Sequence, residues 1–425
     1  MNINSNVLLA GSALVLLQFL LAIPWVYISL LSREDQESLA KNPFQGWVFQ
    51  RIAVVLAISL ALPLLLTTFV QERGTLEIAG RMYAAFLQIQ LTIAFFIICF
   101  FILLRVWPKG AAVGLASFLE GLRQWMFWLL VLLACLAMVV SIFVPYFTFG
   151  EDYLMVKQLG YDTIMLAAVL FGGLAASLSI SEEIEGKTAI TVMSKPISRR
   201  QFMLGKYLGI ILAALFMFGM LGVFFESVLL VKHWWDKLEP ISEVVESEIS
   251  QARIGVVATP IWVNKIIQSW GFPGSFGDFL RGIGQWVAHS LDTLPGLVLC
   301  FSQVMVLVAL AVALATRVPM VVNMTTLLVV FFLSHLTPVL VTIAKKSQQT
   351  QPGPVSQILG FVSGVFDTIL PDLSSFSMDP ALLSDSAPPA GLFAQYLASV
   401  TLYGVVYTSI VLLFGLILFE DRDLA

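Results

Sequence analysis

The stretch YLGIILAALFMFGMLGVFFESVLLV, residues 207–231, decides the fold, because it is a long apolar run in which Glu226 is the one charged residue. As a helix it is long enough to cross the hydrocarbon core of a bilayer, which is about 30 Å thick and needs roughly 20 apolar residues. The nine candidate spans of this kind are residues 7–31, 52–70, 83–104, 125–145, 162–180, 207–231, 292–316, 319–343 and 397–419. Because lipid offers no partner for backbone N–H and C=O groups, every span is predicted to be a helix. The predicted fold is an all-α polytopic transmembrane bundle.

The composition excludes an ordinary soluble protein. Hydrophobic residues make up 59% of the chain and charged residues 12%, with a mean hydropathy of +0.91. A soluble domain has roughly 45–50% apolar and about 25% charged residues. The formal net charge of −4 is spread over separated loops without a basic stripe, so nucleic acid is not an expected partner.

Lysine and arginine in the short loops orient the spans, since these residues stay preferentially on the cytoplasmic side. The densest cationic stretch is 181–206, which holds Lys187, Lys195, Arg199, Arg200 and Lys206. We therefore place this loop in the cytoplasm and let the other loops alternate. Residues 232–291 and 344–396 then lie outside. The mixed composition of 232–291 predicts small extracytoplasmic helical segments, whereas 344–396 contains stretches of turn and linker composition. The expected location is the cytoplasmic (inner) membrane.

Motifs for covalent chemistry are missing from the sequence. No stretch matches GxxxxGK[ST], so the chain is predicted not to cradle ATP phosphates by that device. There is no HExxH or GxSxG motif, and the cysteines and the three histidines are too scattered to suggest a disulfide framework or a metal site. The chain is therefore predicted to be no enzyme and to hold no cofactor or metal itself.

Two ionisable residues lie at predicted membrane depth, where such groups are costly and often functional. Glu226 lies in the outer part of the span 207–231, and His335 lies within the span 319–343. Both are candidates for lining a translocation path. Alternatively, Glu226 reaches the outer interface near Trp234, and His335 makes a hydrogen bond between two helices.

The loop SEEIEGKTAITVMSKPISRRQFMLGKYLG, residues 181–209, carries more pattern than its positive charge explains. It begins with an acidic stretch that Gly186 interrupts. The middle, TAITVMSKP, can form a short helix that ends at Pro196. Cationic residues follow at the mouth of the next span.

This loop resembles the first cytoplasmic loop of the ABC type-2 permease family, with its acidic pair, GT-like dipeptide, short helix and SKP-[IV]-SR-R-x-x-x-x-GK-x-x-G pattern. Here Lys187 separates the glycine from the threonine, which departs from that pattern. Residues 112–123, AVGLASFLEGLR, look like the family's amphipathic connecting helix, with an apolar side formed by Leu115, Phe118, Leu119 and Leu122. LPDLSSF (370–376) and FEDRDL (419–424) are similar to two further family motifs. The resemblance covers about residues 111–425.

The resemblance implies a six-span permease core at 111–425, with residues 1–110 as an accessory region of about three spans. QERGTLE, residues 71–77, faintly echoes the acidic-GT signature, and whether it marks a repeat stays open. The resemblance further implies that ATP and Mg are bound by a separate ABC ATPase subunit. A second permease chain, identical or different, would complete the path, and export is the favoured direction.

By the same resemblance, residues 188–194 would dock on the ATPase. The residues expected to couple the two subunits are Glu182, Glu183, Glu185, Gly186, Thr188, Lys195, Pro196, Ser198, Arg199 and Arg200. Two rival functions remain open on the sequence. An ATP-independent channel or secondary carrier would show interrupted helices or polar midplane clusters, and a polytopic membrane enzyme would need a convergent catalytic set.

Overall fold

The computed structural model describes most of the chain from residue 72 onwards. The described residues are 16–18, 20, 21, 50, 53, 54, 69, 72–144, 152–181, 197–236, 261–270, 274–350, 353–377 and 390–420. The predicted spans 7–31 and 52–70 fall almost entirely outside this set.

Helices account for nearly all of the described chain, and no strand occurs among those residues. The helices are α1 (Arg73–Val106), α2 (Pro108–Arg123), α3 (Trp125–Phe143), α4 (Asp152–Ala176), α5 (Arg199–Asp236), α6 (Ile261–Trp270), α7 (Gly274–Ala315), α8 (Met320–Thr350), α9 (Pro354–Ile369) and α10 (Ala390–Glu420). A π-helical turn at Ser177–Ser181 extends α4, and a 3-10 turn at Ser374–Phe376 follows α9.

Seven helices of the described chain are long and apolar enough to cross a membrane, namely α1, α3, α4 with its π turn, α5, α7, α8 and α10. These seven coincide with the predicted spans from 83–104 onwards, and the all-α polytopic fold is confirmed. The helices α1 and α7 extend well beyond the predicted spans. At 1.5 Å per residue, the 42 residues of α7 measure about 63 Å. Part of the predicted outer segment 232–291 is thus a continuation of α7.

The chain divides into two compact units, residues 1–102 with 234–293 and residues 103–233 with 294–425. This grouping associates 234–293 with the N-terminal region, and a functional boundary near residue 110 stays a prediction. In the first unit, α1 and the first half of α7 run parallel in backbone contact. A Cβ on Gly80 would lie 2.2 Å from the carbonyl oxygen of Phe279, and a Cβ on Gly282 would lie 2.1 Å from that of Glu77.

In the second unit, α2 packs on the start of α5 through small residues. Gly110 and Gly114 of α2 face Gly205 and Gly209 of α5, and a Cβ on Gly209 would lie 2.3 Å from the carbonyl oxygen of Gly114. Paired small residues four apart allow this backbone approach. The buried side of α2 is therefore formed largely by small residues, together with Phe118. The contact of its leucines with the membrane stays a prediction.

Candidate functional site

The middle of the predicted coupling loop lies outside the described residues. The predicted site residues concerned are Glu182, Glu183, Glu185, Gly186, Thr188, Lys195 and Pro196. The structure describes both ends of the loop, the π turn that precedes it and the start of α5 that follows it. These two ends hold the remaining predicted residues, Ser198, Arg199 and Arg200.

Ser198 fixes the first turn of α5. The Gln201 backbone N–H donates to the Ser198 hydroxyl oxygen at 3.2 Å, and the Ser198 backbone N–H donates to the Gln201 side-chain oxygen at 3.1 Å. This reciprocal pair is a capping box, which satisfies backbone donors that a helix start leaves free. The loop therefore ends at a defined residue, where α5 begins.

Arg199 and Arg200 join the start of α5 to the end of α10. The Arg199 guanidinium donates to the carbonyl oxygens of Phe419 at 3.2 Å and Glu420 at 2.9 Å. A cation at a helix C-terminus satisfies free carbonyls and complements the helix dipole. Arg200 forms an exposed pair with the Glu420 carboxylate at 3.4 Å, a contact of the weak surface kind. The two adjacent arginines thus have unequal roles.

Lys206 is the centre of a polar cluster that sequence reasoning did not single out. Its ammonium donates to the Ser179 hydroxyl at 2.8 Å and lies 3.8 Å from the Glu120 carboxylate. The Ser179 hydroxyl in turn donates to Glu120 at 3.4 Å. The Lys206 side chain is 6% exposed and that of Glu120 47%. This cluster joins α2, the π turn and α5, so it links the connecting helix to both ends of the loop.

The π turn is also held by a hydrogen bond from α8. Asn323 of α8 is buried, and its amide donates to the Ser177 hydroxyl at 2.9 Å and to the Ala311 carbonyl at 3.0 Å. Ser177 itself donates to the carbonyl of Gly173 at 2.8 Å. Single π turns within helices occur frequently at functional positions. Here the turn is tied to α7 and α8 immediately before the loop begins.

Glu226 lies inside the described chain rather than on its surface. It is 1% exposed and follows Phe225, whose ring packs on Tyr161 of α4 at 5.2 Å between centroids. Gly160 of α4 also lies against the Phe225 ring. Lys157, one turn before Gly160, is 5% exposed. Buried ionisable groups of both signs therefore occur on α4 and α5 in this region. The role of Glu226 in a translocation path stays a prediction.

His335 makes an interhelical contact. Its Nδ1 donates to the carbonyl of Phe331 at 2.9 Å, which leaves Nε2 to accept from the amide of Gln303 on α7 at 3.4 Å. The residue is exposed on the surface of the chain, and its ring packs on that of Phe331 at 4.5 Å between centroids. The contact with Gln303 matches the alternative that the sequence left open, a hydrogen bond between two helices. The role of His335 in a path also stays a prediction.

The motif LPDLSSF forms a turn that follows α9 and runs beside α10 from Tyr407 towards Tyr396. Tyr407 donates to the carbonyl of Ile369 at 3.1 Å, the Asp372 backbone N–H donates to the Tyr403 hydroxyl at 3.1 Å, and Tyr396 donates to the carbonyl of Ser375 at 2.6 Å. The spacings of seven and four positions keep the tyrosines on one face of α10. Phe376 is fully buried and anchors the turn against α10 at Gly404.

The turn begins within the predicted span. Tyr407 and Tyr403 precede Glu420, the predicted inner end of α10, by 13 and 17 positions, or about 20 and 26 Å along the helix, and Tyr396 precedes it by 24 positions, or about 36 Å. The hydrocarbon layer is about 30 Å thick, so the turn extends from this layer to its outer boundary. Irregular backbone at membrane depth requires partners from the protein, and the tyrosine hydroxyls supply them. We interpret the segment formed by α9 and this turn as re-entrant.

No group of three or more potential metal ligands occurs among the described residues. The sequence of residues 122–269 matches the family model of the ABC-2 family transporter protein. This match covers about a third of the chain and includes α3, α4, the predicted coupling loop and α5. It confirms the resemblance on which the prediction was based. No curated protein matches the chain.

Proposed function

We propose, on the premise that residues 122–269 belong to the ABC-2 transporter family, that the chain is a permease whose substrate translocation is driven by a separate ATPase subunit. The multi-pass helical fold and the family match support a membrane permease in general. The coupling mechanism, the export direction and the location in the cytoplasmic membrane are our proposal. ATP and Mg would bind to the ATPase, and a second permease chain would complete the path.

The observation that carries the proposal is the cluster of Lys206, Ser179 and Glu120. A loop that transmits force between two proteins needs rigid attachment at both ends. The π turn supplies Ser179 at the entry of the loop, and α5 supplies Lys206 at its exit. Glu120 holds both to the connecting helix α2. A push on the loop therefore moves three segments together.

Arg199 extends this attachment to the last span. Because its guanidinium binds the final carbonyls of α10, displacement of the start of α5 also pulls on α10. Residues 188–194 would form the ATPase contact, with Glu182, Glu183 and Glu185 on one side and Arg199 and Arg200 on the other. Glu226 and His335 remain the candidates for the path.

Co-isolation with an ATPase, followed by reconstitution, tests the proposal. Glu183→Ala, Glu185→Ala and the double change Arg199→Ala with Arg200→Ala should each lower transport while membrane insertion stays near normal. ATPase activity should persist without transport, as expected for uncoupling. The matched control is Lys345→Ala, which removes an exposed charge near the C-terminal end of α8, away from the loop. Normal transport in all three loop variants would exclude this loop from coupling.

The re-entrant segment gives some support to a second function. A secondary carrier or channel is expected to contain an interrupted helix at membrane depth, and α9 with its turn has that form. Solute flux through liposomes that contain only the purified chain would identify such a protein. Flux that requires the ATPase and ATP would favour the permease.

A further inference from the structure

The helices α7 and α10 touch at one level and leave a groove on the N-terminal side of that contact. A Cβ on Gly404 of α10 would lie 3.4 Å from the Cβ of Ser302 of α7, so the two helices approach closely there. Nearer the N-terminus of both helices, Val298 of α7 lines the groove together with Ala398 and Ala394 of α10. Both alanines are exposed, and their small side chains leave the space unfilled. We call this space the outer groove.

The outer groove lies in the outer part of two predicted spans. Its α10 side runs from Ala394 to Val405, which is about 16 Å along the helix. The predicted span 397–419 contains all of this side except Ala394, and the predicted span 292–316 contains Val298 near its outer end. One leaflet contributes about half of the roughly 30 Å hydrocarbon layer. The groove therefore extends about as far as one leaflet is thick.

The lining of the outer groove favours an apolar occupant. It consists of alanine, leucine and valine side chains, and among the described residues that line it Thr401 alone carries a polar side chain. A water molecule needs about two to four polar partners, which this lining does not supply. An empty groove would in turn forfeit dispersion contacts along both walls. Hydrocarbon therefore fills the groove better than water or empty space.

The size of the outer groove distinguishes a lipid chain from a protein helix. Its volume of about 470 Å³ over a length of about 16 Å corresponds to a mean cross-section of about 30 Å². An α-helix with its side chains is about 10–12 Å wide, which gives a cross-section of roughly 80–110 Å². A single hydrocarbon chain is roughly 4 Å across, the distance at which carbon atoms pack. The groove therefore admits one acyl chain but not a helix of a second protein.

We propose that the outer groove binds one acyl chain of a phospholipid from the outer leaflet and retains it when the surrounding lipid exchanges. A chain in the groove contacts α7 and α10 together, whereas a chain on the exposed side of α3 packs against that side alone. More contacts with the protein mean slower release, because packing rather than a hydrophobic driving force holds a partner within the membrane. The inference goes beyond the proposed function, since it assigns a ligand site that neither the ATPase nor the transported substrate requires.

Filling the outer groove with protein atoms tests the site. Ala398→Phe and Ala394→Phe place a ring in the middle and at the outer end of the groove. The matched control is Ala137→Phe, which adds the same ring to an exposed alanine of α3. Each protein is purified in detergent and washed, and its bound phospholipid is counted by native mass spectrometry. The wild type and Ala137→Phe should retain one phospholipid more per chain than the two groove variants. Equal counts in all four proteins, including none in any of them, would overturn the site.

A photoreactive phospholipid locates the bound chain. The probe carries a diazirine in the middle of one acyl chain, and the labelled peptides are identified after irradiation of liposomes that contain the full chain. Labelling of residues 394–405 should exceed that of α3 in the wild type and should be lost in Ala398→Phe, while α3 is labelled equally in both proteins. Unchanged labelling of 394–405 in the variant would contradict the proposal. If a second copy of the chain covers the groove, the probe will label α3 but not 394–405 of the wild type, and that result also overturns the proposal.

Discussion

Glu120 and Lys206 form an ion pair whose two side chains are buried to different extents. Removing Glu120 should therefore change the free energy of unfolding by a different amount from removing Lys206. Lys206 is almost fully buried, whereas the carboxylate of Glu120 is half-exposed. Glu120→Gln keeps an acceptor for Ser179 but removes a negative charge from beside the buried ammonium. Lys206→Met removes the buried charge and leaves Glu120 to water. We therefore expect Glu120→Gln to lower the free energy of unfolding more than Lys206→Met does.

The size of the expected destabilisation follows from the distance between the two charges and from the exposure of Glu120. Two unit charges 3.8 Å apart attract by about 4 kcal/mol at an effective dielectric constant of 20. The half-exposed carboxylate is screened by water, which reduces the net loss in Glu120→Gln to about 1–2 kcal/mol. Lys206→Met should change stability by less than about 1 kcal/mol, because it also removes the cost of burying the ammonium.

A double-mutant cycle isolates this interaction. Unfolding of the detergent-solubilised chain is followed in an SDS titration for the two single variants and the double variant. Glu120→Gln should cost less than about 0.5 kcal/mol when Lys206 is already methionine, so the coupling energy should be about 1 kcal/mol. An equal cost of Glu120→Gln in both backgrounds would refute the pair as a link between α2 and α5. Glu72→Gln, an exposed carboxylate in the other unit, is the control.

Three further expectations follow. Arg199→Ala should lower thermal stability more than Arg200→Ala, because Arg199 binds two helix-terminal carbonyls and Arg200 makes an exposed pair; equal melting temperatures of the two variants would contradict this. Gly209→Ala should destabilise by about 1–3 kcal/mol through a clash with the α2 backbone, whereas Gly222→Ala on the same helix should be tolerated, and SDS titration compares them. The purified chain without its ATPase should neither bind nor hydrolyse ATP, and measurable nucleotide affinity in calorimetry would count against the permease.

The positions of the seven described spans were predictable because each is encoded locally, by about 20 consecutive apolar residues. The run at 207–231 needs no knowledge of its neighbours to be recognised as membrane-spanning, and α5 contains it. The ends were less predictable, since α7 continues as a helix far into a stretch of mixed polarity. Outside the bilayer, a helix end depends on tertiary partners such as the contact between Gly282 and Glu77.

The candidate site was predictable only in part, because its contacts join distant positions. Ser198, Arg199 and Arg200 were identified from the family pattern, and the structure gives them cap and anchor roles. Glu120 and Ser179 carry no local signal, since their partner Lys206 lies on another segment. The tyrosines of α10 did carry a signal, a one-sided stripe within a span, but the turn they bind follows only from the fold.

The tyrosines beside the re-entrant turn also determine how easily that turn detaches. Three hydrogen bonds, each with a net value of about 1 kcal/mol, would leave the turn detached in roughly one molecule in 150 if little else opposed it. Burial of Phe376 makes that fraction smaller still. Loss of one hydroxyl would raise the detached population about fivefold without unfolding any span. Evolution could therefore adjust the opening of this segment in small steps, one tyrosine at a time.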